Sequence, residues 1–480
     1  MFKRWLRRIL SAFAFLLLGL ILGGAVNAKL SLPDLKPWHR VRLDDVTAAT
    51  LDRNFTFQDY AEREEQLFAA VRALETRIDR NDRTSVNRYH GGSRSNPQRA
   101  EKDWNRSYET EPSTTLRGGA LLLHGLTDSP YSMRAMAGVL RDAGFYSLAL
   151  RVPGHGTVPS GLVTAEWEDW VAAARVGVRH VRSRIPADAP LILVGYSNGG
   201  AIALKYTFET LLRQDDPMPS KVVLLSPMIG VTPAARLARW IGMLGMVPYF
   251  EKAYWIDVVP EYNPFKYNSF PANAGFQTSR ITRALDADLG RIGAAGLGDR
   301  LPPILTFLSI VDSTVSARAV VTSLYERLPA NGSALVLFDV NHLAGVDEFI
   351  QPADLETGQR FIDASPRRYQ RVLITNTSRD ARDVEARVID AGVGAVNHLP
   401  LGMAWPADVF SLTHIALPFR PDDPLYGYEP GPSSPMVNLG RLSPRGEKGV
   451  LTVATDALMR LGANPFFEVV AARTAAFVNR

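Results

Sequence analysis

The chain has 480 residues, 46% of them hydrophobic and 21% charged, and this average composition excludes a wholly disordered, a collagen-like or a polytopic membrane protein. The net charge of +5 is too small for this length to indicate nucleic-acid binding, which requires a concentrated basic surface. Cysteine is absent, so disulfides, a thiolate nucleophile and cysteine-ligated zinc are excluded.

The first 28 residues combine a basic cluster with an uncharged apolar run. Four basic residues lie within the first eight positions, and residues 9–26 carry no charge. This arrangement predicts either a membrane anchor or a signal peptide that is cleaved after Ala28, and we favour the retained anchor. In both cases the basic cluster favours a cytoplasmic N-terminus and export of the remaining chain.

Residues 29–115 are predicted to form an accessory segment of helix and loop. Thr56 and Asp59 form a weak capping box, and the apolar residues that follow recur with helical spacing as far as Ile78. Residues 81–112 are polar and rich in turn formers, which is typical of a loop that wraps a neighbouring domain.

From residue 116 to residue 480, short apolar runs alternate with helical stretches. This alternation predicts an α/β domain with a mostly parallel central sheet and helices on both faces. It stops in residues 229–301, whose aromatic residues and helix formers predict a helical cap over a site, and residues 351–480 are predicted to extend the sheet. The strand candidates are residues 120–123, 146–150, 191–194, 222–225, 304–310, 335–338, 371–375, 386–389 and 449–453.

A serine lies at the predicted junction of a buried strand and a helix, in the run Gly195-Tyr196-Ser197-Asn198-Gly199. This is the G-x-S-x-G pattern in the strand–turn–helix context that a nucleophilic serine requires. The tight turn strains the serine backbone, and the glycines allow the strand and the helix to approach closely. Because the helix dipole stabilises developing negative charge, Ser197 is the predicted nucleophile.

A second turn follows the strand candidate 120–123. Acyl transfer needs two backbone N–H groups directed at the carbonyl oxygen when that oxygen gains charge. We expect one donor from Leu126 in this turn and the other from Asn198, directly after the nucleophile. His124, which opens the turn, is interpreted as a structural residue rather than a base.

The candidate acid is Asp312, which follows the strand candidate 304–310. A carboxylate at the end of a strand can orient a histidine and stabilise its imidazolium form.

Together these motifs resemble the serine α/β-hydrolases, in particular the branch of monoacylglycerol lipases, carboxylesterases and lysophospholipases. The resemblance rests on the run L-L-L-H-G-x-x-D-S, the loop R-V-P-G-H-G at residues 151–156, the G-x-S-x-G turn and the strand-end acid, and it covers residues 118–343. It implies an α/β-hydrolase fold and a structural role for His155. It is not specific for the substrate.

Three histidines follow Asp312 and are candidates for the base. His398 is discounted because no clear strand precedes it. His342 has the ordinary position, just beyond the strand candidate 335–338. His414 is preferred, because new strand candidates follow His342 and because residues 411–427 resemble the histidine segment of exported bacterial members of the family. His342 remains the alternative base.

The sequence therefore predicts a serine hydrolase that cleaves carboxylic esters of the lipid-like, monoacylglycerol or lysophospholipid type through an acyl-enzyme. The expected partners are a small-molecule ester or lipid and, through the N-terminal segment, a membrane; no nucleic acid, metal or organic cofactor is expected. The expected location is the bacterial inner membrane with the catalytic domain in the periplasm, or outside the cell after cleavage. Serine peptidase or acyltransferase chemistry on the same fold and a non-catalytic envelope binding protein are the alternatives.

Overall fold

The computed structural model describes residues 2–230, 244–344, 350, 356, 358, 360–363, 365–429, 438–441, 445, 451 and 453–480. The strands in this part of the chain are β1 Tyr108–Thr110, β2 Gly118–Leu123, β3 Phe145–Leu150, β4 Leu191–Tyr196, β5 Lys221–Leu225, β6 Trp255–Asp257, β7 Phe270–Pro271, β8 Ile304–Ser309, β9 Ala334–Phe338, β10 Gln370–Asn376, β11 Asp383–Ile389 and β12 Asn397–Ala404. The helices are α1 Phe2–Ser31, α2 Pro37–Arg40, α3 Phe57–Ala73, α4 Arg134–Asp142, α5 Trp167–Ser183, α6 Asn198–Arg213, α7 Ala272–Ala294, α8 Ala317–Ser323, α9 Thr455–Leu458 and α10 Phe467–Asn479.

Ten of these strands form one sheet in the order β1-β3-β2-β4-β5-β8-β9-β10-β11-β12. The strands from β3 to β10 in this order pair in parallel, while β1, β11 and β12 add antiparallel pairs at the two edges. Alternate residues of β2 enter separate apolar clusters, Leu121 and Leu123 in one and Ala120 and Leu122 in the other. Both faces of the sheet are therefore buried, as parallel strands require, and the predicted mostly parallel α/β sheet is confirmed.

The sheet continues past β9 as the sequence predicts, through β10 and β11. Four strands were missed: β1 and β12 in this sheet, and the pair β6–β7 in the insertion that was predicted to be a helical cap. The strand β1 lies within the predicted loop 81–112, and β12 contains His398, before which the sequence analysis found no clear strand. Most of β12 is exposed, it contains Pro400, and its register against β11 shifts, so it lacks the alternation of apolar and polar residues that marks a half-buried strand. The strand candidate 449–453 falls largely outside the described residues.

Residues 229, 230 and 244–301 of the cap insertion (residues 229–301) are described, so the aromatic Trp240 lies outside the described part. Short 3-10 helical turns lead into the antiparallel pair β6–β7, and the long helix α7 follows. The helix α7 packs on α6, where Lys205 Nζ lies 2.5 Å from Asp288 Oδ2 with both side chains buried. The insertion thus rests on the helix that begins beside Ser197.

The segment predicted to be an anchor or a signal peptide forms the helix α1. Its C-terminal end contacts the cap insertion, where Lys29 Nζ lies 2.9 Å from the centre of the Tyr249 ring and Lys252 Nζ donates to the Leu32 carbonyl at 2.8 Å. Within the described part of the chain, none of the helices has the length and hydropathy that crossing a membrane requires.

A buried histidine joins the accessory segment to the cap insertion. His39 is only 2% exposed; its Nε2 lies 3.0 Å from Ser269 Oγ, its Nδ1 accepts a hydrogen bond from the Lys36 N–H, and its ring contacts Trp255 edge-on. Burial lowers the pKa of His39 to about 3. The imidazole is therefore neutral in the folded protein near pH 7.

We expect this histidine to make the fold sensitive to acid. The unfolded chain binds a proton at His39 below about pH 6.5, whereas the folded chain does not, so the stabilisation is complete above that pH and is lost as the pH falls toward 3. Between about pH 7 and pH 5 the free energy of unfolding should fall by about 2 kcal/mol on this account. Urea unfolding at both pH values measures it. His39→Gln should remove this fall in the free energy of unfolding, and the control His398→Gln, at a half-exposed histidine, should retain it. Equal pH dependence of stability in His39→Gln and the wild type would refute the assignment of the fall to His39.

Candidate active site

Ser197 lies in the turn between β4 and α6 and has a left-handed backbone, with φ 53° and ψ −117°. The two flanking glycines explain how the chain accommodates this turn. A Cβ on Gly195 would lie 2.5 Å from the Gly199 carbonyl oxygen, and a Cβ on Gly199 would overlap the carbonyl oxygen of Leu123 in the neighbouring strand. Larger residues would push the strand and the helix apart. The strained serine and its glycines therefore have the form of a nucleophile elbow.

A continuous chain of hydrogen bonds joins Ser197, His414 and Asp312. His414 Nε2 lies 2.9 Å from Ser197 Oγ, and His414 Nδ1 lies 2.8 Å from Asp312 Oδ2. The other carboxylate oxygen of Asp312 accepts from the N–H groups of Thr314 and Val315 at 2.8 and 2.9 Å. This geometry suits a serine whose proton passes to a histidine that a carboxylate holds in place.

Asp312 remains a carboxylate in this environment. Burial alone would raise the pKa of Asp312, but the nearby His414 imidazole and the two backbone N–H donors outweigh that effect and hold its pKa below the ordinary value. A charged Asp312 favours the His414 tautomer with a proton on Nδ1, which leaves Nε2 free to accept the serine proton.

Contacts at the end of β9 bring His414 to Ser197 from far along the sequence. Val340, two residues after β9, forms an antiparallel bridge with Ser411, and the Asn341 N–H donates to the Phe410 carbonyl at 2.7 Å. Tyr196, beside the nucleophile, donates its hydroxyl to the His414 carbonyl at 3.3 Å. The segment that carries His414 is thus attached to the sheet at the ends of the strands, where Ser197 and Asp312 also lie.

The distal half of that segment is tied to the main domain and to the cap insertion. Tyr131 donates its hydroxyl to Asp423 Oδ1 at 2.7 Å, and the same oxygen accepts from the N–H groups of Leu425 and Tyr426. Asn263 of the cap insertion donates to the Tyr426 hydroxyl at 2.6 Å. Sequence analysis assigned no role to these residues, because the contacts join three parts of the chain that are far apart in sequence: Tyr131, Asn263 and the segment 423–426.

His342, the alternative base, makes a different contact. Its Nε2 lies 3.2 Å from Asp339 Oδ2, and the same oxygen accepts from the Thr375 hydroxyl at 2.8 Å. The geometry therefore brings His414 to Ser197 and places His342 beside a second carboxylate at the start of the sheet extension. His398 lies on the edge strand β12 within hydrogen-bond distance of Glu385.

The turn after β2 lies directly over the nucleophile. A Cβ built on Gly125 would be 3.2 Å from Ser197 Cβ, so the Gly125 backbone is in contact with the elbow. Within the described residues, no backbone acceptor engages the N–H of Leu126 or that of Asn198, the first residue of α6. An oxyanion requires N–H donors of this kind, which have no backbone acceptor of their own.

Asp128, to which the sequence analysis gave no role, is buried in the same turn. Burial raises the pKa of Asp128 to about 6, while the positive charge of Lys266 and the hydrogen bond from the Ser129 N–H act to lower it. The only sequence signal for this residue was its place in the L-L-L-H-G-x-x-D-S run. Among the described residues, no group of three or more histidine, aspartate or glutamate side chains could hold a metal ion.

The chain is similar to one known protein family and to two characterised enzymes. The family described as "Serine aminopeptidase, S33" matches residues 115–257. A thermostable monoacylglycerol lipase of Bacillus sp. is 28% identical over 200 residues, which are 41% of this chain and 71% of that protein. A carboxylesterase of Bacillus subtilis is 30% identical over 107 residues, 22% of this chain and 43% of that protein.

Among solved structures, the monoacylglycerol lipase of Paleococcus ferrophilus aligns with a TM-score of 0.36 and 19% identity, covering 49% of this chain and 89% of that one. A soluble variant of the monoglyceride lipase of Saccharomyces cerevisiae aligns with a TM-score of 0.36 and 17% identity, covering 48% and 82%. The family match over residues 115–257 and the two curated relatives confirm the resemblance drawn from the sequence motifs: this chain is similar to serine esterases of the α/β-hydrolase type.

Proposed function

We propose that the protein hydrolyses carboxylic esters through a covalent acyl-enzyme on Ser197. The observation that carries the proposal is the hydrogen-bonded series from Ser197 Oγ through His414 to Asp312, located at a strained elbow between a strand and a helix. Each of the three side chains is buried, so water does not compete for these hydrogen bonds.

In the first half-reaction, His414 Nε2 removes the Ser197 proton while Ser197 Oγ forms a bond to the ester carbonyl carbon. The carbonyl oxygen becomes an oxyanion, which accepts hydrogen bonds from the N–H groups of Leu126 and Asn198. When the oxyanion collapses, the bond to the alcohol oxygen breaks and His414 gives its proton to that oxygen. Asp312 stabilises the imidazolium between the two proton transfers.

In the second half-reaction a water molecule replaces the serine hydroxyl as the proton donor. His414 removes a proton from the water as its oxygen attacks the acyl carbon, and the same two N–H groups hold the second oxyanion. Collapse breaks the bond to Ser197 Oγ, which regains its proton from His414. The products are the free acid and the resting enzyme, with no change in the protein's charge.

Lipid-like esters of the monoacylglycerol or lysophospholipid type are the proposed substrates. The two curated relatives bear the names monoacylglycerol lipase and carboxylesterase, and both name ester substrates. A second candidate is an aminopeptidase, because the matching family carries that description and peptide cleavage uses the same acyl-enzyme.

A single substrate panel separates these two functions. The protein should hydrolyse p-nitrophenyl esters, with kcat/KM rising from the acetate to longer acyl chains, because each methylene placed in an apolar pocket contributes about 0.8 kcal/mol. It should release no p-nitroaniline from aminoacyl p-nitroanilides. Cleavage of the anilides at a higher kcat/KM than any ester would favour the aminopeptidase, and no turnover of either class by folded protein would refute the proposed hydrolase.

We further propose that the helix α1 binds the protein to the bacterial inner membrane from its outer side. Apolar side chains of α1 are largely exposed, with Phe15 at 74% and Leu30 at 79%, and the adjoining cap segment exposes Met246 at 68%. The basic cluster at the N-terminus complements anionic lipids. The helix continues through Ala28, whose side chain is buried, which favours a retained segment over cleavage after Ala28.

Flotation with vesicles of phosphatidylcholine and phosphatidylglycerol tests this membrane proposal. The full chain should float with the vesicles, Phe15→Asp combined with Leu30→Asp should reduce the bound fraction, and Leu399→Asp, at an exposed leucine of β12, should not. A full chain that stays in the lower fractions would overturn the proposal.

A further inference from the structure

A fully buried arginine connects the accessory segment to the loop that follows β3. Arg151 donates through its two terminal nitrogens to the two oxygens of Asp45 at 2.8 and 2.9 Å, and through Nε to Glu64 Oε1 at 3.1 Å. Its side chain has no solvent exposure. Both carboxylates belong to the accessory segment, which precedes the part of the chain that the family match covers.

The same segment also holds the backbone of this loop. Tyr60 donates its hydroxyl to the Arg151 carbonyl at 2.6 Å, and Ser107 Oγ accepts from the Arg151 N–H at 2.8 Å. Asp45 accepts a further hydrogen bond from the Gly154 N–H at 2.8 Å, and Glu64 accepts from the Ser107 hydroxyl at 2.7 Å. The accessory segment therefore fixes the conformation of the loop as well as the charge of its arginine.

The loop that follows β3 is in turn hydrogen-bonded to the turn over the nucleophile. The N–H of Val152 donates to His124 Nε2 at 3.0 Å, so the proton of the neutral imidazole is on Nδ1, and that nitrogen lies 2.9 Å from the Gly125 carbonyl oxygen. Burial lowers the pKa of His124 far below its ordinary value, so this neutral form persists.

The Gly125 carbonyl and the Leu126 N–H belong to one peptide group. In a planar trans peptide these two groups point in opposite directions, so holding the carbonyl fixes the direction of the N–H. Contacts therefore run without a break from Asp45 through Arg151, Val152 and His124 to the N–H of Leu126.

We propose that Asp45 and Glu64 are positioning residues for ester hydrolysis: by holding Arg151, the accessory segment sets the orientation of the Leu126 N–H toward the oxyanion. This inference rests on the proposed function, and it makes the accessory segment part of the catalytic unit. The competing explanation is that the two carboxylates only attach the segment to the domain. That explanation predicts lower thermal stability with unchanged chemistry.

The experiment compares Asp45→Asn and Glu64→Gln with the wild type and with Asp44→Asn. Asp44 is the matched control, because it precedes Asp45, is 92% exposed and forms an ion pair with Arg63 on the surface. Three quantities are measured for each protein: kcat and KM for a p-nitrophenyl ester, the Kd of a trifluoromethyl ketone whose hemiketal oxygen occupies the oxyanion position, and the Tm.

We expect kcat to fall by roughly 10- to 100-fold in Asp45→Asn and Glu64→Gln, because a donor displaced by about 1 Å loses about that much rate. KM should change by less than about threefold, and the ketone Kd should weaken in parallel with kcat, because both depend on the oxyanion contact. Asp44→Asn should match the wild type. A lower Tm with wild-type kcat and ketone Kd would overturn the inference and support simple attachment.

If Asp45→Asn and Glu64→Gln fail to fold, Tyr60→Phe provides a second test of the inference. It removes only the hydroxyl that donates to the Arg151 carbonyl, so a lower kcat at unchanged KM supports the inference and a wild-type kcat overturns it. The proposed function is judged separately, by ester hydrolysis in the wild type. If the wild type is active and Asp45→Asn equals it, only the positioning inference fails.

Discussion

Replacing Ser197 with alanine should abolish ester hydrolysis, with a loss in kcat of about 10⁶-fold, the size of the effect when the nucleophile of a serine hydrolase is removed. Without the Ser197 hydroxyl the acyl-enzyme cannot form at this position, so only the weak contribution of the oxyanion donors to direct attack by water remains. The measurement is the steady-state hydrolysis of a p-nitrophenyl ester by purified wild-type and variant protein.

The Ser197→Ala protein should fold as the wild type does, because the substitution removes one atom and relieves none of the close contacts of Gly195 or Gly199. Ser147→Ala is the matched control: Ser147 is equally buried and lies in β3, which β2 separates from the strand β4 that leads to the elbow. Hydrolysis at the wild-type rate in Ser197→Ala, with Ser147→Ala unchanged, would show that the chemistry takes place elsewhere.

Replacing His414 with alanine should reduce kcat by about 10⁴- to 10⁶-fold, because the serine then has no base to remove its proton. Replacing His342 should change kcat by less than about threefold, since its Nε2 lies beside Asp339 rather than Ser197. The two variants are matched, each removing one imidazole that lies beside one carboxylate. Their kcat values under the same conditions form the comparison, and a larger loss in His342→Ala than in His414→Ala would contradict the geometry.

The contrast between Ser197 and His414 shows what local sequence can specify. The strand, turn and helix around Ser197 lie within a few residues of one another, so the glycine spacing and the buried strand were sufficient to identify the elbow. His414 is 102 residues from Asp312 in sequence and reaches it through contacts between Asn341 and Phe410 at the end of β9. Spacing alone favoured His342, and only the added strands and the segment resemblance favoured His414.

The central sheet was predictable for the same reason. Strands such as β2 and β4 are buried along their whole length and form continuous apolar runs, whereas β12 is exposed, contains Pro400 and has no such pattern. The carboxylates that hold Arg151 gave no sequence signal either. Asp45 and Glu64 are single carboxylates 106 and 87 residues away from it, and a tertiary contact of that kind leaves no local spacing to detect.

The central claim is that Ser197, activated by His414, is the residue that becomes acylated. Its most direct test is reaction with a fluorophosphonate probe, followed by mass spectrometry of the labelled peptide in the wild type, His342→Ala and His414→Ala. We expect the adduct on Ser197 in the wild type and in His342→Ala at similar rates, and a rate lower by several orders of magnitude in His414→Ala. An adduct on any other residue, or labelling of His414→Ala as fast as the wild type, would contradict the claim.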